Sequence, residues 1–290
     1  MTIDDTLNPN FPRRVLDCAG RKLVLDRTRI MGILNLTPDS FSDGGKWLGE
    51  SVAIQHALDM QEAGADIIDV GGESTRPGAK AVSMQQELDR VIPVIEAIVP
   101  QLSIPVSIDT SKPQVMREAV AAGAGMINDV CALRQEGAVQ AATDLDVPVC
   151  LMHMQGDPRV MQNKPRYDDV ANEVKDFLLA RAVVCEDNGI VKENIVLDPG
   201  FGFGKTLQQN ITLFHALPSF MASGYPVLVG VSRKAMIGQL TGRDVTQRLA
   251  GSITAAAFAA RMGVGFVRVH DVAETHDALQ VATALSEPRA

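Results

Sequence analysis

Aromatic residues are scarce in this chain of 290 residues: 4% in all, with a single tryptophan. No apolar run approaches the roughly 18 residues of a membrane span, so no bilayer-crossing helix is expected. Cysteine is also sparse. Cys18, Cys131, Cys150 and Cys185 are scattered without a Cys-x-x-Cys pair, which excludes a disulfide-stapled scaffold and fits a reducing, cytoplasmic compartment. Basic residues are outnumbered, 27 against 35 acids, and the net charge of −8 argues against a nucleic-acid partner. The opening Met1-Thr-Ile-Asp-Asp5 lacks the basic and apolar regions of a signal peptide. No His-Glu-x-x-His or Cys/His zinc spacing occurs. The chain is nonetheless 46% apolar, ample for a large core, so disorder and collagen are excluded as well.

The apolar residues come in short runs, each succeeded by a helix-like segment. The runs are Ile30–Leu34, Ile67–Val70, Val106–Ile108, Met126–Ile127, Val147–Leu151, Ile195–Leu197, Val227–Val231 and Phe266–Val269, eight in all. Lacking alternation, they predict strands buried on both faces, as in a parallel sheet. Helical patterns cover Ser51–Ala63, Met84–Ile98, Lys112–Ala122, Asp168–Asn188, Val245–Met262 and Thr275–Leu285, with weaker ones near Ala138 and Leu213. Gly64, Gly123, Gly189 and Gly263 punctuate several of them. Val15–Leu25 reads as a hairpin turning at Gly20, placed to cover the bottom of a barrel. The α/β class therefore resolves to a (β/α)8 TIM barrel with an N-terminal β-hairpin at 15–26. It is a single domain over 1–290 with its core at about 28–285. An open doubly wound sheet is the competing arrangement and would usually have fewer strands.

In such a barrel the active site lies at the C-terminal rim, so the chemistry falls to the last residue of each strand and the loop after it. The first run ends at Asn35, the second at Glu73-Ser-Thr-Arg76, the third at Asp109, the fourth at Asn128-Asp129 and the fifth at His153. The sixth ends at Asp198, the seventh at Ser232-Arg-Lys234, and the eighth carries Arg268 and His270. Any one polar residue there could be a helix cap, but all eight units supply one. Acids and amides (Asp109, Asn128, Asp198) are expected at one level and cations (Lys234, Arg268, His270) at another. The first set suits a heterocycle with donor and acceptor edges. The second, beside an asparagine, suits a phosphate with a hard metal.

Other motifs carry less. Gly200-Phe-Gly-Phe-Gly-Lys-Thr206 looks like a phosphate loop but fails its spacing, with Pro199 where a glycine is required, and reads as a flexible turn that could present Phe203. Lys234 could form a Schiff base, the lesser reading of that residue. His56, His215 and His276 fall in helical stretches and read as surface or packing residues.

At Asn35-Leu-Thr-Pro-Asp-Ser-Phe-Ser-Asp-Gly-Gly45 the sequence becomes specific. This segment, Asp69-Val-Gly-Gly-Glu-Ser-Thr-Arg-Pro-Gly78, Ser107-Ile-Asp-Thr110, Ile127-Asn-Asp129, Leu197-Asp-Pro-Gly-Phe-Gly-Phe-Gly-Lys205, Gly230-Val-Ser-Arg-Lys234 and Val267-Arg-Val-His-Asp271 together closely resemble the dihydropteroate synthase family. The match runs in order from about residue 15 to the eighth unit. The resemblance implies a folate-pathway transferase that condenses 6-hydroxymethyl-7,8-dihydropterin diphosphate with 4-aminobenzoate, releasing diphosphate. It implies a pterin site at Asp109, Asn128, Asp198 and Lys234, lined by Met152 and Val130. Diphosphate and Mg²⁺ would sit at Asn35, Arg268 and His270, with Thr75 touching the pterin substrate. Aminobenzoate would meet Arg76, Pro77, Phe203 and Ser232, closed in by Phe41. The residues expected to act in catalysis are Asp109, Lys234 and Arg268, with Asp39 and Phe41 of the first loop.

The loops after the first two strands are long and rich in Gly, Pro, Ser and Asp, so Asp39, Phe41, Ser42, Asp43 and Arg76 are candidates to order over the substrates and exclude water. Two alternatives share the expected barrel: a corrinoid-linked pterin methyltransferase domain and a non-catalytic pterin-binding paralogue. The small apolar residues Ala255–Ala260 permit either a subunit contact or plain core packing, and the resemblance favours a homodimer.

Overall fold

The computed structural model describes residues 14–36, 45–74, 81–156 and 165–285. It opens with a hairpin, β1 (Arg14–Cys18) and β2 (Arg21–Leu25), turning through Ala19 and Gly20. Both turn residues have positive φ (53° and 86°), the conformation that matches a two-residue turn to the twist of its strands, and Asp17 Oδ1 accepts from the Gly20 amide at 2.6 Å.

Then come the alternating units. β3 (Arg29–Asn35) leads to α1 (Gly45–Glu62), β4 (Ile67–Gly71) to α2 (Met84–Ile98), β5 (Val106–Asp109) to α3 (Pro113–Ala121), and β6 (Met126–Asp129) to α4 (Ala138–Leu145). β7 (Val149–Met152) leads to α5 (Val170–Asp187), and β8 (Ile195–Asp198) to α6 (Leu207–His215) and α7 (Leu217–Met221). β9 (Leu228–Val229) is followed by α8 (Ala235–Thr241) and α9 (Leu249–Met262), and β10 (Phe266–Val269) by α10 (Val272–Ala284). The strands form one parallel sheet in the order β8-β7-β6-β5-β4-β3-β10-β9. A parallel bridge from Leu197 to Val227 joins its two edges, so the ring closes as a barrel rather than an open sheet.

Below the rim both faces of the strands are apolar, which is why the sequence runs do not alternate. Outward residues such as Ile30, Ile68, Val70, Ile108 and Leu197 pack under the helices. Inward ones, Met31, Ile67, Met126, Cys150, Val196, Leu228 and Phe266, form an apolar layer inside the barrel. Leu16, Cys18, Leu23 and Leu25 of the hairpin close that layer from below, as expected for a bottom cover. The seating needs a glycine: a Cβ on Gly125 would fall 2.4 Å from the Cys18 carbonyl oxygen.

The expected helix at Met84–Ile98 is found with those bounds because Ser83 and Gln86 form a reciprocal capping box. Gly64, Gly123, Gly189 and Gly263 all come after helices with φ between 94° and 106°. One expected helix is divided. The segment predicted as a helix from Val245 begins with a 3-10 turn (Val245–Gln247) before α9, and α8, which the sequence pattern does not predict, precedes it and ends at Gly242 in the left-handed conformation. Gly238 within α8 leaves room for the Arg248 guanidinium, which a Cβ would meet at 2.4 Å. All four cysteines are free thiols. Among the described residues no helix is long and apolar enough to cross a membrane.

Candidate active site

Strand alternation decides what the barrel shows at its C-terminal rim. One pleat above the apolar layer the inward positions turn polar: Asp69, Ser107, Asp109, Asn128, Asp198 and Arg268. Gly71 stands in register between Asn35 and Asp109, and both reach its space. A Cβ there would lie 3.6 Å from Asn35 Oδ1 and 3.6 Å from Asp109 Oδ2.

The acids and cations do not occupy the separate levels expected from the sequence. Arg268 donates from Nε to Asp69 Oδ2 at 2.6 Å and from a terminal nitrogen to Asp109 Oδ2 at 2.8 Å. Asn128 Nδ2 donates to the same Asp69 oxygen at 2.9 Å. Burial raises the Asp109 carboxyl from its ordinary value, and the guanidinium beside it opposes that rise. The interlock has a simple cause. A guanidinium at this depth must find fixed acceptors, and an inward carboxylate on β4 and another on β5 supply them.

Asp198 ends β8. Its Oδ1 accepts the Gly200 amide at 2.7 Å, leaving the other oxygen and the remaining lone pairs for a further partner. Burial raises its pKa, while the charge of Lys234 works to lower it. Lys234 is the N-cap residue of α8, five positions after β9. Its Nζ donates to the Phe201 carbonyl at 2.5 Å and lies 4.5 Å from the centre of the Phe203 ring. Burial brings this lysine down to about 8. Phe203 joins Val130, Cys131, Met152 and Met154 in a small apolar cluster, so three of the expected lining residues come together on one wall. Ser232 Oγ and His270 Nδ1 are 3.0 Å apart, which fixes two further expected residues side by side.

Other rim residues serve the scaffold. Asp129 accepts from Ser111 Oγ and from the amides of Cys131 and Leu133, holding the left-handed turn at Ala132 and Leu133. His153 is buried against Phe177, and its Nδ1 lies 3.0 Å from Lys205 Nζ. Burial lowers its pKa to about 3, so the ring stays neutral and can accept from the lysine. The three helical histidines lie in α1, α6 and α10, away from the rim. The first-loop residues Asp39, Phe41, Ser42 and Asp43, and Thr75, Arg76 and Pro77 of the second loop, lie outside the described residues.

Two residues with a clear part in this architecture escape a reading of the sequence. Asp69 sits inside a motif, but its inward direction emerges only from its place two positions before Gly71 in a strand. Lys205 belongs to the run that fails as a phosphate loop. Its Nζ donates to the carbonyls of Gly200 at 2.9 Å and Phe203 at 3.1 Å, so the glycine turn wraps the chain's own lysine. The signal is a lone cation inside a run whose three glycines, at 200, 202 and 204, all adopt positive φ.

Residues 31–270 match the model of a family described as pterin binding enzyme. The dihydropteroate synthase of Escherichia coli strain K12 is 52% identical over 265 residues, covering 91% of this chain and 94% of that protein. The chain belongs to the dihydropteroate synthase family. The solved Xanthomonas albilineans dihydropteroate synthase with 4-aminobenzoic acid is 55% identical, with a TM-score of 0.91 over 96% of this chain and 100% of that one. The structure of the synthase from the same organism in complex with 7,8-dihydropteroate is 52% identical, with a TM-score of 0.87 over 95% and 100%. None of these relatives supports a methyltransferase or a non-catalytic paralogue.

Proposed function

We propose that this member of the dihydropteroate synthases divides its condensation among three subsites of the barrel rim. Its substrates are the small molecules 6-hydroxymethyl-7,8-dihydropterin diphosphate and 4-aminobenzoate. The pterin ring lies on Asp198, Asn128, Asp109 and Lys234, beside Val130 and Met152. The diphosphate meets Arg268, His270 and Asn35, and the resemblance adds Thr75, which is outside the described residues, as a contact of the pterin substrate. Aminobenzoate lies against Phe203 and Ser232, and the family resemblance assigns Arg76, Pro77, Asp39 and Phe41, which are outside the described residues, to the same subsite. The observation that carries this reading is the buried Asp198 carboxylate, which has one oxygen engaged by Gly200 and acceptor capacity left for a ring 2-amino group and N3–H.

The reaction breaks the C–O bond at the exocyclic methylene, and the electron pair leaves with diphosphate. Positive charge then spreads over the methylene and the electron-rich reduced ring, beside the Asp109 carboxylate, while Arg268 and His270 face the departing anion. The arylamine nitrogen adds to the methylene carbon and passes its proton to water or to the departing diphosphate. We favour this dissociative order because a weakly basic arylamine then needs no strong general base.

The donor set fits a hard cation. Asn35 offers an amide oxygen at the end of β3, and no group of three or more His, Cys, Asp or Glu among the described residues could hold a metal unaided. Asn35 would hold Mg²⁺, a neutral amide oxygen being a suitable ligand for a hard cation. When bound it would neutralise charge gathering on the leaving group. A steady-state assay should show diphosphate release that requires both substrates and ceases in a metal-free control. Release that persists without metal would remove Mg²⁺ from the scheme, and no release with everything present would overturn the function.

A homodimer and a cytoplasmic setting are further parts of this reading. The free thiols suit a reducing compartment. On the outer side of the barrel, α9 and α10 leave Phe258 58% and Val281 59% exposed, with Ile253, Ala257 and Ala278 between them. An apolar strip of this kind suits a second copy of the chain. Phe258→Asp should convert the dimer to a monomer in sedimentation velocity. A parent protein that sediments as a monomer at micromolar concentration would refute the dimer.

A further inference from the structure

One carboxylate inside the barrel belongs to none of the three subsites. Asp69 lies in the middle of β4, with no exposed surface, between Ile33 and Ser107 in the ladder. Packing does not ask for an acid there: an apolar side chain would continue the layer formed by Ile67 and Met126 directly below. A charge taken out of water at this depth is costly, and one of its oxygens, Oδ1, has no hydrogen-bond partner. The other oxygen accepts from both Asn128 Nδ2 and Arg268 Nε.

Those two bonds constrain what the site presents. A carboxylate can only accept, so the Asn128 nitrogen must face Asp69 and its carbonyl oxygen must face elsewhere. Asn128 thus offers a substrate an acceptor oxygen and one remaining N–H, in a fixed sense. Arg268 has Nε engaged by Asp69 and one terminal nitrogen by Asp109, so the plane of the guanidinium is set by two strands at once. Its uncommitted N–H groups are the ones left for an anion.

We propose that Asp69 is a positioning residue that fixes, through one oxygen, both the amide sense of Asn128 and the plane of Arg268, and so ties the pterin subsite to the diphosphate subsite. This rests on the subsite assignment above. It also explains why an acid persists where packing favours none. An amide at the same position would bring its own N–H against those of Asn128 or Arg268, and Asn128 could then turn over.

Asp69→Asn, nearly isosteric, tests this in steady-state kinetics alongside Asn128→Ala and the double variant. The kcat/KM for pterin diphosphate should fall about 10- to 100-fold, while the KM for aminobenzoate stays within about threefold. The double variant should lose much less than the product of the single losses, because Asp69 acts partly through Asn128. A structural role alone would lower the active fraction for both substrates equally and multiply independently. Either of those results, or a parent-like kcat/KM, would overturn the proposal. If Asp69→Asn does not fold, Asp69→Ser, which removes the clashing amide, enters the same cycle. If Asn128→Ala alone leaves pterin diphosphate unaffected, the subsite assignment fails instead.

Discussion

Asp198→Ala is expected to abolish useful pterin binding. Two ring donors would lose a charged acceptor in a pocket with little water to replace it, a loss of roughly 2 to 4 kcal/mol, or about 30- to 1000-fold in affinity. The neighbourhood makes the effect larger than a simple deletion. The Asp198 charge supports the ammonium of Lys234, which burial already lowers to about 8. Without that carboxylate Lys234 would lose its proton at a lower pH still, and the site would lose a charged donor as well as an acceptor. Asp198→Asn separates these effects from damage to the turn. Its amide oxygen can still accept the Gly200 N–H, but its NH2 would be directed at ring donors, so affinity should stay low while the fold is kept. Calorimetric titration with a pterin analogue checks both variants. Affinity within about threefold of the parent for Asp198→Ala would remove this residue from the pterin site.

Much of this is legible in the chain because strands of a parallel barrel carry their own signal. Ile67-Ile68 and Phe266-Val267 are apolar on both faces before the polar inward residues Asp69 and Arg268, and Ser83 with Gln86 marks the start of α2 without any tertiary information. The rim residues obey the same logic, since the last residue of each strand must arrive at one end. The pairings among them are not legible. Arg268 meets Asp69 across 199 positions of sequence, a contact set by the stagger of strands around the ring rather than by any local pattern. For the same reason residue types alone suggest separate levels for acids and cations, although the Arg268 guanidinium is bonded directly to Asp69 and Asp109. Lys205 misleads for a different reason: a glycine-rich turn ending in lysine resembles an anion cradle, yet here its carbonyls converge on the lysine. The short α8 is hidden because seven residues containing a glycine carry almost no helical periodicity.

Arg268→Ala should slow turnover about 10²- to 10³-fold while weakening pterin binding far less, the pattern for a charge that meets its partner most strongly as the bond breaks. It should also destabilise the fold, and the pH dependence of that loss identifies its cause. Removing the guanidinium leaves Asp69 and Asp109 facing each other in the barrel without a cation, a situation that costs roughly 3 to 5 kcal/mol when the charges cannot adjust. Asp109 can adjust by keeping a proton. Burial already raises Asp109, and loss of Arg268 removes the largest influence opposing that rise. A carboxyl whose folded-state pKa lies above its unfolded value gives stability that is present at low pH and lost as pH climbs through the folded value. The melting temperature of the variant should therefore approach that of the parent near pH 5, to within the change in packing, and fall progressively behind it toward pH 8. Rapid-quench measurement of diphosphate release at the lower pH then isolates the chemical step from the folding defect. A bond-breaking rate equal to that of the parent would place the leaving group elsewhere on the rim. A stability deficit that did not change with pH would mean that Asp69 and Asp109 are not the groups that Arg268 neutralises.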